Sequence, residues 1–205
     1  MAGEVAHVVY GARVLAFLGE KVKTPLFWVG TLFPDIKNLG AALKKHTHPD
    51  GVTLGSLAGE NDFETGARVH AWIDHTRELF LSNQRMKERL RWHPFVPHSL
   101  KLLEDEILYD RFDDWEIIFR ALNRVRDEEL KIVSSRDQVR RWHDILQEYL
   151  AEKPSDESRY KLSLAIGLSE NSAQEVNSVV ASLRTDGEAV KLIDEFVRHL
   201  EILLQ

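Results

Sequence analysis

A chain of 205 residues, 43% of them hydrophobic, can bury one fairly large core or two small ones packed together. Its 33 acidic and 27 basic residues give a net charge of −6, which argues against broad electrostatic binding to nucleic acid or to an anionic membrane surface. Cysteine is absent, so disulfides, thiolate zinc sites and cysteine nucleophiles are excluded, and any metal must use His, Asp, Glu, backbone or water.

The first stretch, MAGEVAHVVYGARVLAFLGE, carries only Arg13 as a charge between Glu4 and Glu20, so a helix here is covered on most sides. Without a basic leader or a cleavage site it reads as a buried helix and not a signal peptide. No apolar run approaches the ~20 residues of a membrane span, so no transmembrane segment is expected and the expected location is cytoplasmic. His7 shares a helix face with Tyr10, Gly11, Val14 and Leu18, where it is either a hydrogen-bonded core residue or a ligand. Thr24-Pro25 has the form of a helix start, with Pro at the first helical position. The apolar LFWVGTLF follows, and Pro34 ends it by disfavouring helix at Phe33. Asp35 comes at once, either as the N-cap of a short helix through IKNLGAALKK or as a ligand or base held at a rigid corner. His46-Thr47-His48-Pro49-Asp50-Gly51 is a polar turn whose Pro-Asp-Gly chemistry places both imidazoles outside regular structure.

Residues 63–81 form the central helix, and His70 and Asp74 stand one turn apart on its inward face with Phe63, Gly66, Ala67, Ile73, Arg77 and Leu81. An inward carboxylate is expensive without a partner. Arg77 could supply one as a structural ion pair, or a metal could take imidazole and carboxylate together. Gly66, a turn before His70, leaves room for another backbone. His75, about 140° from His70 on the wheel, is expected at the surface. Beyond the basic QRMKERLRWH piece, a helix starting near Pro97 places His98, Leu102, Asp105 and Tyr109 on one face, beside an apolar face of Leu100, Leu103 and Ile107.

From Asp113 onward, five segments show helical apolar spacing and none shows a ligand cluster. The last presents Val190, Ile193, Phe196, Val197, Leu200 and Leu203, a stripe for the core or for a homo-oligomer seam. No β-alternation competes anywhere. The chain is read as a single all-α domain over 1–205, a multi-helix bundle with residues 1–112 as the metal-site half and 113–205 as a helical half of unknown role.

The ordered series His7, GTLFPD (30–35), Thr47-His48, GARVHAWID (66–74) and His98 resembles the zinc-dependent phospholipase C family, an all-α fold related to the P1-type nucleases. The resemblance covers the N-terminal half, to about residue 110. It implies a helix-lined metal cluster that hydrolyses phosphodiester bonds. Asp35, His48, His70 and Asp74 would bind one zinc, with Asp35 also a candidate base for the attacking water. His7 would serve a neighbouring ion, and His98 another together with a following carboxylate, Glu104, Asp105 or Glu106, of which Asp105 shares its face. The chain departs from the family where a free N-terminal tryptophan ligand is replaced by Met-Ala-Gly, where Gln84 stands ten residues beyond Asp74, and where Leu102 stands four beyond His98. One or two zinc ions are therefore expected, not three, and lipid specificity is not inherited.

The expected function is metal-dependent hydrolysis of phosphoester or phosphodiester bonds, with a small phosphoester or phospholipid head group as substrate. Two alternatives stand beside it. One is a non-catalytic helical scaffold with a structural or vestigial metal site, or with an Arg77–Asp74 pair in the metal's place. The other is an HD-type phosphohydrolase built on His143-Asp144.

Overall fold

The helical periodicity is realised as helix throughout. The computed structural model describes residues 2–19 and 25–205, so Thr24 of the expected helix start lies outside the described residues, while Pro25 is the first residue of its helix. Among the described residues there are twelve α-helices, three short 3-10 segments and no strand. The site-bearing elements are α1 (Glu4–Phe17), α2 (Pro25–Leu32), the 3-10 segment Phe33–Leu39, and the single turn α3 (Lys44–Thr47). They continue with α4 (Asp62–Asn83), the single turn α5 (Met86–Arg89) and α6 (Val96–Leu108). The remaining elements are α7 (Trp115–Leu122), the turn α8 (Asp127–Leu130), α9 (Arg136–Leu150), α10 (Asp156–Ala165), α11 (Glu170–Thr185) and α12 (Gly187–Leu203).

Side-chain caps set where the long helices begin. Asn61 accepts from the Glu64 N–H at the head of α4, and Ser135, Ser155, Ser169 and Asp186 do the same for α9 to α12. α1 has no side-chain cap of its own at Gly3. Pro34 converts the end of α2 into the tighter 3-10 winding, which Gly40 terminates at φ 70°. Asp35 therefore lies inside a 3-10 helix and is not an N-cap, and its side chain is turned into the protein. His46 lies within α3 and His48 ends it, so one of the two imidazoles belongs to a helical turn after all.

α4 packs along α2 and against α1, α6 packs against α1 and α11, and α7 covers the other side of α2. The α2–α4 approach is the closest feature of the fold, and two glycines permit it. A Cβ on Gly30 would stand 2.0 Å from the Phe63 carbonyl oxygen, and one on Gly66 would stand 2.2 Å from that of Phe27. Only residues without side chains fit there.

Buried apolar residues of both halves form one contiguous core, from Val5 and Trp28 through Ile73 and Leu100 to Trp142, Val176 and Phe196. Hydrogen bonds cross between the halves as well. The Trp142 indole on α9 donates to the Leu32 carbonyl at 3.1 Å, and the Ser99 hydroxyl donates to the Val176 carbonyl at 3.1 Å. The α12 stripe of Ile193, Phe196, Val197 and Leu200 is buried in this core, while Ile202 and Leu203 are exposed. No helix among the described residues is long and apolar enough to cross a membrane.

Candidate metal centre

The close α2–α4 contact fixes the chemistry of His70. Its Nδ1 lies 2.9 Å from the Thr31 carbonyl oxygen. A carbonyl only accepts, so Nδ1 carries the proton and Nε2 presents a lone pair to the interior. His48 is fixed by a similar chain. The Thr47 hydroxyl donates to the Lys44 carbonyl at 3.3 Å, and His48 Nδ1 lies 2.9 Å from that hydroxyl oxygen. The Lys37 ammonium lies 3.1 Å from His48 Nε2, and an ammonium only donates, so this Nε2 also presents a lone pair.

These two lone-pair nitrogens face each other at 3.2 Å. Carboxylates close the ring around them. Asp74 Oδ2 lies 3.6 Å from His70 Nε2 and 3.7 Å from His48 Nε2, and Asp35 Oδ1 lies 3.9 Å from His70 Nε2. His7 stacks on His70 with ring centroids 3.8 Å apart and reaches Asp74 Oδ1 at 3.2 Å, without an aligned hydrogen bond on either ring nitrogen. The Ala2 N–H donates to the same Asp74 oxygen at 2.6 Å. Among the described residues, Asp35 Oδ2 and Glu4 Oε2 are buried without hydrogen-bond partners.

Three overlapping triads, His7–His70–Asp74, Asp35–His48–His70 and Glu4–His7–Asp35, each bring donor atoms close enough to share an ion, and all six residues are buried. Mutually repelling acceptors without enough donors between them are a costly arrangement. A cation satisfies it, so these residues fit a metal ion. Lys37, bonded to Asp35, is the protein's own partial answer.

The electrostatics follow the same pattern. Burial pushes the Asp35 and Asp74 carboxyls up, but positive charge at His70, which an ion on its Nε2 would replace, offsets this, joined for Asp35 by Lys37 and Lys101 and for Asp74 by hydrogen bonds from His48, His7 and His70, so both lie below the usual carboxylate range. Burial and His70 lower His7 to about 4, and burial with His70 and Lys37 lowers His48, so both imidazoles are neutral and able to ligate at pH 7. Glu4 is the exception. Burial and then the Asp35 charge drive its carboxyl well above the ordinary value.

Five expected ligands, His7, Asp35, His48, His70 and Asp74, thus converge, and two do not. Asp105 accepts the Ala6 N–H at 2.9 Å and the Tyr149 hydroxyl at 3.0 Å, capping α1 from a neighbouring helix where Gly3 cannot. Burial raises its carboxyl to about 7. His98 lies half-buried near Lys101; burial first, and then the Lys101 charge, lowers it to about 3, and that charge disfavours any cation there. Among the described residues, neither falls in a group able to share an ion.

Arg77 places its Nε on Glu104 at 2.6 Å, and the Tyr10 hydroxyl donates to the other Glu104 oxygen at 2.6 Å, so Glu104 is also committed elsewhere. Glu106 pairs with Arg159 and Arg184. His143 bonds Glu129 at 2.8 Å and Asp144 is exposed, so the HD dipeptide is not assembled as a metal site. His75 is exposed as expected.

Glu4 and Lys37 were missing from the sequence-derived set. Glu4 had a signal, as the lone acid of an apolar helix, one turn before His7. Lys37 had only its nearness to Asp35.

A groove of about 270 Å³ opens over the cluster and is lined by Lys44, His48, Asp50, Thr53, Asp74 and His75, among others. No protein-family model, curated protein or solved structure matches the chain.

Proposed function

We propose that this protein is a metal-dependent hydrolase of phosphoester or phosphodiester bonds, phospholipase C-like in its site, with zinc as the ion and one or two ions bound. The observation that carries the reading is the pair of lone-pair nitrogens, His48 Nε2 and His70 Nε2, 3.2 Å apart and ringed by Asp35 and Asp74. Ligand atoms ~2.0–2.1 Å from a tetrahedral zinc are about 3.3 Å from one another. The separations of 3.2–3.9 Å are near that edge length. His7 and Glu4 stand beside this set as donors for a second ion.

When bound, zinc would lower the pKa of a water towards ~7 and neutralise charge on phosphate oxygens. The chain's own residues supply the rest. Asp35, ionised across the neutral range and with Oδ2 unpartnered, can take the proton of the attacking water. The Thr31 carbonyl and the Thr47 hydroxyl hold His70 and His48 in their ligating tautomers. The groove over Asp74 and His48 admits a small phosphoester such as a phospholipid head group.

Metal content by mass spectrometry tests this on untagged protein purified without added metal. Near-stoichiometric zinc, lost in His70→Ala and Asp74→Ala, followed by phosphodiester hydrolysis that tracks the metal, is the expected result. No binding after zinc loading would sink it.

One observation favours a second reading, a non-catalytic helical scaffold. The Lys37 ammonium already bonds Asp35 and His48, so the cluster is partly neutralised from within. Metal-free protein with unchanged stability after His70→Ala would support that reading.

A further inference from the structure

Beside the metal centre lies a second groove, of about 740 Å³, which shares Lys44 and Glu78 with the first. Its composition is opposite in sign to the rest of the chain. Lys44, Arg77, Arg85, Lys87 and Lys101 line it against only Glu78 and Glu88, in a protein whose net charge is −6.

Some of these charges have internal partners. Arg77 is bonded to Glu104 and Arg85 lies near Glu88. Lys101 is different. It is only 6% exposed and, among the described residues, makes no hydrogen bond or ion pair. Glu4, Asp35 and Asp105 feel its charge only at longer range, and a buried ammonium with no direct acceptor leaves its N–H donors unsatisfied, which is expensive. One turn earlier on the groove wall, His98 has Nε2 buried and, among the described residues, without a partner. A cation is repelled here by Lys101 and Arg77. An oxyanion satisfies both orphaned groups, accepting from the ammonium and from the imidazole N–H.

We propose that Lys101 and His98 form an oxyanion subsite that takes a phosphate dianion, either free orthophosphate or the phosphate of a monoester. Neutral His98 suits it as a donor, and five lining cations suit a dianion better than a single carboxylate. Lys101 is also near enough to act on Asp35 and Glu4, so the subsite adjoins the metal centre. Its use in catalysis, holding released phosphate or a second anionic group of the substrate, rests on the hydrolase reading. The binding itself does not.

The test is titration of the full chain with inorganic phosphate at low ionic strength, after chelation to remove metal, followed by calorimetry and by the melting temperature. Wild type should bind. Lys101→Met should weaken binding at least about tenfold, and His98→Ala by several-fold, while Lys161→Ala, exposed and outside this groove, changes it less than about twofold. His70→Ala should keep phosphate binding while losing metal, which separates the two sites. Binding of methyl phosphate equal to that of orthophosphate would assign the subsite to substrate, and preference for orthophosphate would assign it to product. No phosphate binding by wild type overturns the proposal. Undiminished binding by Lys101→Met together with lowered stability also overturns it, and makes Lys101 a counter-charge for the buried acids. Lys101→Gln serves as the second variant should the methionine disturb folding.

Discussion

The Gly66→Ala variant separates helix propensity from the geometry that builds the site. Propensity alone predicts a gain, since Ala in a helix interior is about 0.8–1 kcal/mol better than Gly. The structure predicts a loss. The new Cβ would stand 2.2 Å from the Phe27 carbonyl oxygen and 2.7 Å from the Thr31 nitrogen, both well short of ordinary contact. The α2 and α4 backbones must therefore part by about 1 Å, an overpacking strain of about 1–3 kcal/mol. That displacement stretches the 2.9 Å bond between His70 Nδ1 and the Thr31 carbonyl beyond hydrogen-bonding reach, at a further ~0.5–1.5 kcal/mol. Sterics win, and the net loss is about 2 kcal/mol, or roughly 4–8 °C in melting temperature for a chain of this length. Freed from its carbonyl, His70 should also lose metal affinity by about 10–100-fold. Urea unfolding and zinc titration measure the two effects, with Gly187→Ala as control because nothing lies near its Cβ. Wild-type stability in Gly66→Ala would refute the close-contact account. Lowered stability with unchanged zinc affinity would refute the link from Thr31 to His70.

Removing the resident ammonium should help the metal. Lys37→Met is expected to tighten zinc binding by at least about tenfold, because a cation bonded to Asp35 and facing His48 opposes a divalent ion; unchanged or weaker binding in a competition assay with a chelating dye would count against this. Asp105 sets a pH dependence of stability. Its carboxyl, raised to about 7, stays protonated in the folded chain where the unfolded chain is ionised, so this stabilisation is fully present below about pH 4 and is lost as pH rises through 7. Asp105→Asn should flatten urea-unfolding free energies across that window by up to about 4 kcal/mol, and an unaltered slope would show that the raised carboxyl is not the cause. Asp35 and Asp74 act with the opposite sign: held low in the fold, they stabilise above about pH 4, and that contribution is lost as pH falls further. His143→Ala should lower stability by about 3 kcal/mol through the buried Glu129 left behind, with metal content unchanged; loss of metal would restore the HD alternative.

Much of the site was legible because its residues sit at spacings that one local element can fix. His70 and Asp74 share a face by the helical repeat, and Gly66 marked the side on which a backbone would approach. Pro34 forces a corner at Asp35 that leaves a helix cap and an inward ligand both open, and the 3-10 winding decides for the inward carboxylate. Asp105 was misplaced for a physical reason. A carboxylate on the inner face of α6 has the same sequence signature whether it meets a metal or the bare N-terminus of α1, and only the packing of Gly3 against it decides. The ligand role of His98 is what the resemblance implies; no local pattern shows which cation lies beside it, and Lys101 reverses the sign of that neighbourhood.

By itself the sequence determined the all-α class, the stop at Pro34 and an inward-facing set of imidazoles and carboxylates. Those follow from periodicity and backbone stereochemistry, which act over a few residues. The tertiary structure decided which of these groups converge. The Thr31 carbonyl orients His70, Lys37 and Glu4 join the cluster, and the Trp142 indole from the C-terminal half bonds the last carbonyl of α2, just ahead of the Asp35 corner. Convergence depends on contacts between residues tens of positions apart, and their free energy comes from burying groups together, which no local stretch of chain encodes.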